Sequence, residues 1–178
     1  MPESSEAASV PTPRRRVVPL FLAVVAAAWV VDQLTKVLAV RHLDGRPDVP
    51  LVGDLLVLHL TRNPGAAFST GTEYTVVLSC LAVVAVCVVL YLSLRVRSVL
   101  WAAGLGLLLA GVSGNLTDRV LREPGPMRGH VIDFLMLPNW PVFNIADICI
   151  NVAAGVILLQ AFRGVRLDGT RDVEEESA

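Results

Sequence analysis

The chain has 178 residues, of which 54% are hydrophobic and only 17% charged, with a formal net charge of −1 and a mean hydropathy of +0.62. That balance excludes an ordinary soluble domain and points to a membrane protein. There is no basic stripe, so no nucleic-acid partner is expected.

Residues 1–16 are rich in Pro, Ser, Glu and Arg and read as a disordered cytoplasmic tail. A membrane-spanning helix needs roughly 20 mostly apolar residues, and the first window that qualifies is about Val17–Val40. It follows Arg14, Arg15 and Arg16 but is too long for a cleaved leader. It carries Asp32 and Lys36 and lacks a small-residue cleavage site, so it is expected to stay attached. Leu55–Thr61 reads as a short strand. Asn63-Pro64-Gly65-Ala66-Ala67-Phe68-Ser69 follows with turn chemistry, since Pro fixes one dihedral and Gly opens conformations closed to other residues. A small β-element resting on the outer membrane face is expected here. Three further spans follow, at about Tyr74–Leu94, Val99–Arg119 and Val142–Phe162. Residues 163–178, with Glu174-Glu175-Glu176, read as a polar cytoplasmic tail. The expected fold is an all-α membrane protein: four transmembrane helices in one domain over residues 17–162, with a small extracytoplasmic β-element between helices 1 and 2.

Lys and Arg in short loops set orientation. Arg14–Arg16, Arg95 and Arg97, and Arg163, Arg166 and Arg171 fall on one side; Arg41, Arg46, Arg62, Arg122 and Arg128 fall on the other. The excess is modest and favours both termini in the cytoplasm. The three cysteines, Cys80, Cys87 and Cys149, lie inside spans and read as small buried apolar residues rather than a disulfide.

In this topology the polar residues of three spans meet at one depth. Span one brings Asp32 and, one turn further out, Lys36, spaced to neutralise each other. Span three ends in Gly114-Asn115-Leu116-Thr117-Asp118-Arg119, and span four places Asn144, Asp147 and Asn151 on one stripe near its outer end. Span two is almost wholly apolar. A carboxylate at bilayer depth is costly and usually marks function. Asp32 has Lys36, and Asp118 has Arg119 and the span-one cation nearby, so both are expected to give structural support together with Lys36. Asp133 and Asp147, 14 residues apart with Pro138 and Pro141 between them, have no basic neighbour at helical spacing. Brought together, two such carboxyls divide into an acid and a base, as in an aspartyl protease. Asn63, Asn115, Asn144 and Arg119 are candidate donors to a substrate backbone or a developing oxyanion. The plainer reading of the amides is helix–helix hydrogen bonding, nearly as good for Asn151.

Other signals carry less. Gly111-Val112-Ser113-Gly114 matches the Gly-x-Ser-Gly of rhomboid serine proteases, but no span holds the histidine base such a serine needs. The small residues there serve helix packing, as do Gly104 and Gly106. No His-Glu-x-x-His occurs, and no metal is expected. Asn115-Leu116-Thr117 fits the glycosylation pattern only by coincidence. A proton-coupled transporter or channel component is the alternative from another class, since intramembrane Asp and Asn also build ion paths. Against it, the polar layer stops at one leaflet.

With these residues in hand, the chain resembles the lipoprotein signal peptidase family of bacterial inner-membrane aspartyl proteases. The segments that carry the likeness are Asp32-Gln33-Leu34-Thr35-Lys36, Asn63 to Ser69, Gly114 to Arg119, Val131-Ile132-Asp133-Phe134 and Phe143-Asn144-Ile145-Ala146-Asp147. Pro64 departs from it, standing where other members often carry Thr or another residue. The resemblance implies removal of the signal peptide from diacylglyceryl-modified prolipoproteins, just before the lipidated cysteine. It implies Asp133 and Asp147 as the catalytic dyad, and Asn63, Asn115, Arg119 and Asn144 as residues that hold substrate or shape the site. Asp32 and Lys36 match a motif regarded as supporting stability. Lipidated prolipoproteins, membrane lipid and globomycin-type inhibitors are the implied partners, with no cofactor and a monomer in the cell membrane.

Overall fold

The computed structural model describes residues 14–65 and 74–171. Its elements are α1 (Arg14–Leu43), β1 (Val49–Val52), β2 (Leu56–Asn63), α2 (Thr75–Ser93), α3 (Val99–Leu121), β3 (Val131–Met136) and α4 (Ile145–Phe162). All four helices are long and apolar enough to cross a membrane. Their outward faces carry Leu, Val and Phe; α2 buries only Thr75, Ser79 and Val89. A helix apolar all round needs an apolar medium.

The bundle is organised around α3, which packs against each of the other three helices. Its glycines make this possible. A Cβ at Gly111 would stand 2.5 Å from the carbonyl oxygen of Ala146, and one at Gly114 would stand 2.5 Å from Asp32 Oδ2. Side chains at these two positions would push α4 and α1 away. The small-residue reading of Gly111 to Gly114 is therefore the one the structure supports.

A three-stranded antiparallel sheet, ordered β1-β2-β3, sits at the end of the bundle where α1 and α3 finish and α4 begins. Two strands come from the expected element between α1 and α2. The third comes from the α3–α4 connection, and it carries Asp133, opposite Thr61. Val131 to Met136 is a short apolar run with β-branched and aromatic residues, the composition of a buried strand. Ile132 and Phe134 pack with Ala39 and Leu43 of α1, which seats the sheet on the helices. The strand read at Leu55–Thr61 runs instead to Asn63, so Asn63 ends a strand; Ala66 to Ser69 lie outside the described residues.

Three other expectations are corrected. Span four was read from Val142, but α4 starts at Ile145, and Phe143 pairs with Leu135 beside the sheet. Cys80 and Cys87 are exposed on the outside of α2, and only Cys149 is buried; all three are free thiols. At the other end of the bundle, residues 163–171 are not a free tail. Leu167 caps the start of α3, its carbonyl accepting from the N–H groups of Arg97 (2.9 Å) and Ser98 (3.4 Å). The indole of Trp101 donates to the Val165 carbonyl (2.9 Å). Four N–H groups at a helix start lack partners within the helix, and the Leu167 carbonyl accepts from one of them, that of Ser98, the residue before α3.

Candidate active site

The site begins with the first turn of α4. Asn144 is the residue before the helix, and its side-chain oxygen accepts from the Asp147 N–H (3.0 Å). The Asp147 carboxylate returns the bond, Oδ2 accepting from the Asn144 N–H (3.0 Å). This reciprocal capping box fixes both side chains. It also corrects the expected stripe: Asn144 lies just outside the helix, where its amide is turned toward the sheet rather than along α4.

Asp133 comes from β3 and is 3% exposed. Asn144 Nδ2 donates to its Oδ1 (2.7 Å) and Asn63 Nδ2 to its Oδ2 (3.0 Å). Burial pushes the Asp133 pKa up to about 6, reinforced by the charge of Asp147, while the bonds from Asn63 and Asn144 hold it back. Asn144 thus joins the two carboxyls, one through its amide nitrogen and the other through its capping bonds.

Behind them lies a second layer. Asn115 Nδ2 donates to Asp147 Oδ1 (2.9 Å), while Asn115 Oδ1 accepts from Asn144 Nδ2 (3.1 Å) and from Lys36 Nζ (2.9 Å). The fully buried Lys36 ammonium also meets Asp32 Oδ2 (3.0 Å) and Asp118 Oδ2 (2.9 Å). An ammonium has three donors, and all three are used. The expected Asp32–Lys36 pairing is therefore present. Of the two cations expected near Asp118, the span-one Lys36 pairs with it, and Arg122 stands where Arg119 was expected. Arg119 turns the other way, toward the carbonyls of Gly65 (2.6 Å) and Pro64 (3.3 Å).

A cavity of about 550 Å³ opens in front. Asp133, Asp147, Asn63, Asn115 and Arg119 line its polar wall, and Trp140, Val142, Ile148 and Val152 are among its apolar surroundings. Asn151 reaches it too, with its amide donating to the Asp147 carbonyl (2.8 Å). Asn144, Asp32, Lys36 and Asp118 do not reach it; all are almost completely buried behind the carboxyls. Two carboxyls on one wall of a largely apolar cavity can divide acid and base work between them. Two supporting residues went unread in the sequence. Gln33 braces Asp32 Oδ2 (2.9 Å) and the Gly114 carbonyl (3.1 Å), and Arg122 braces Asp118. Arg122 stands four residues after Asp118, the spacing that did reveal Asp32 and Lys36.

A family model described as signal peptidase (SPase) II matches residues 24–163. The lipoprotein signal peptidase of Mycobacterium avium is 46% identical over 160 residues, covering 89% of this chain and 87% of its own length. That of Mycobacterium leprae is 41% identical, covering 100% of this chain and 89% of its own. A solved bacterial membrane enzyme shares the fold with a TM-score of 0.71 at 20% identity, covering 86% of this chain and 94% of that one.

Proposed function

The chain belongs to the signal peptidase II family, and from that premise we propose that it is an intramembrane aspartyl endopeptidase acting on lipid-modified prolipoproteins. Its relatives carry the name lipoprotein signal peptidase. The bond cut is the one just before the diacylglyceryl-cysteine. The observation that supports this best is the meeting of Asp133 and Asp147, from a strand and a helix start, on one cavity wall and joined through Asn144.

Asp133, whose proton affinity is raised by burial, serves as the acid. Asp147 serves as the base that takes a proton from water as the water attacks the scissile carbonyl carbon. Asp133 gives its proton to the carbonyl oxygen. As the tetrahedral intermediate collapses and the carbon–nitrogen bond breaks, Asp147 passes the proton it took from water to the leaving nitrogen, and Asp133 recovers its own from a hydroxyl of the intermediate. Asn63, Asn115 and Arg119 face the substrate. Asn144 orients the two carboxyls from behind, a refinement of the substrate-binding role expected for it. The apolar side of the cavity suits a substrate that is itself a membrane helix with acyl chains, arriving laterally from lipid. Both termini lie in the cytoplasm and the site opens at the extracytoplasmic face of the cell membrane, the orientation favoured by Lys and Arg. The enzyme works as a monomer on residues 17–162, and globomycin-type cyclic peptides occupy the same cavity.

The test is mass spectrometry of the products from a prolipoprotein, with and without its diacylglyceryl group. A product beginning at the modified cysteine, from the lipidated substrate alone, supports the reading. Cleavage elsewhere, or equal cleavage of both substrates, overturns the assigned specificity.

A further inference from the structure

We infer that Lys36, which never reaches the cavity, is the positioning residue that holds both carboxyls of the dyad in working geometry. The inference rests on the reading above. Each of the three groups that its ammonium touches leads to one of the two carboxyls. Asn115 bonds Asp147 directly (2.9 Å). Asp32, through its other oxygen, accepts from the N–H of Ala146 (2.9 Å), the residue before Asp147. Asp118 accepts from the N–H of Ile132 (3.2 Å), the residue before Asp133. One buried cation on α1 therefore ties together α3, the start of α4 and β3, the three elements that build the site.

The bonding also fixes directions. With Asn115 Oδ1 committed to Lys36 and Asn144, its NH₂ must face Asp147. The amide of Asn144 is set in turn, its NH₂ shared between Asn115 and Asp133. Without the ammonium, Asn115 Oδ1 keeps only the bond from Asn144, so one of the three contacts that hold its amide against Asp147 is lost. A stabilising pair would need only Asp32 and Lys36. The placement of each support beside a dyad residue argues for more.

The charged and titratable groups around the dyad are Asp32 and Lys36 from α1, Asp118 and Arg119 from α3 with Arg122 just past its end, Cys149 from α4, and the two carboxyls themselves from β3 and α4. The Lys36 charge draws the Asp133 pKa down, so without it Asp133 should protonate at higher pH.

The experiment compares Lys36→Met, and Asp32→Asn/Lys36→Gln, with the wild type in detergent. The double variant keeps the net charge of the pair and keeps donors at position 36. The readouts are kcat, KM, the pH profile and a ¹³C titration of aspartate carboxyls. A folded variant should lose roughly ten- to a hundredfold in kcat, as small misplacements of reacting groups do, with KM little changed. The alkaline limb of its profile, set by the proton that Asp133 holds, should move to higher pH in Lys36→Met. A folded variant with wild-type kcat and pH profile overturns the inference. If neither variant folds, Lys36 is a fold determinant and the positioning role is likewise overturned. Should the wild type itself fail to cleave, the functional reading falls. The carboxyl titration then decides alone whether Lys36 acts on the dyad: unchanged titration in a folded variant rejects it.

Discussion

Asp133 should make the protein lose stability as the pH rises from about 4 to about 6, and the size of the loss follows from its burial. Its pKa is raised from an ordinary 3.8 to about 6 in the fold, a shift of roughly 2 units worth about 3 kcal/mol. The sign follows from linkage. Between the two values the folded state holds a proton that the unfolded chain has released, so this group favours folding below about pH 4. Its contribution declines up to about pH 6 and is flat above. At 3% exposure the group is not screened by solvent. Other carboxyls titrate in the same range, so the clean quantity is the difference from Asp133→Asn. That variant keeps the shape but turns an amide NH₂ toward one of the two donors, Asn63 or Asn144. The mismatch costs about 1–3 kcal/mol at every pH and leaves the slope to report the titration. Thermal unfolding followed by circular dichroism in detergent should show the wild-type Tm falling across this window by about 6–12 °C more than that of the variant. Equal slopes would refute the buried, raised carboxyl on which the acid role of Asp133 depends.

Other perturbations should separate the layers of the site. Asn63→Ala removes the donor to Asp133 Oδ2, so the Asp133 pKa should rise further. The alkaline limb of the activity profile, set by the proton that Asp133 must hold as the acid, should move up by about one to two units, since a hydrogen bond to a charged group contributes about 1.5–3 kcal/mol; an unmoved limb would show that the bond is not made in solution. Gly114→Ala presses a methyl to 2.5 Å from Asp32 Oδ2, an oxygen held by Lys36 and Gln33. A loss of about 1–3 kcal/mol in unfolding experiments is expected for such overpacking. Asp32→Asn leaves Lys36 with Asp118 and Asn115 but breaks a buried pair. A loss of about 3 kcal/mol is expected, at the low end for such pairs, and should appear as poor yield of folded protein.

Much of this was legible in the sequence because the relevant rules are local. Long apolar windows fix the helices, and the i to i+4 spacing of Asp32 and Lys36 fixes their pairing. What stayed hidden was non-local. The Val131 to Met136 run becomes a strand only because β2 is there to pair with it. Of the two cations expected near Asp118, Lys36 is its partner, whereas Arg119 points to the Pro64 and Gly65 carbonyls at the end of β2. Asn144 looked like one position on a helical stripe. Only the capping geometry shows why its amide can reach Asp133 at all. Cys80 and Cys87 mislead for a physical reason: in a membrane protein an apolar residue has two suitable surroundings, protein interior and lipid.

The most direct test of the central claim is cleavage of a diacylglyceryl-modified prolipoprotein by the wild type, Asp133→Asn and Asp147→Asn, each purified and shown to be folded in the same detergent. The dyad account predicts that the wild type cleaves and that both variants, though folded, lose activity. Cleavage at the wild-type rate by either folded variant would contradict it.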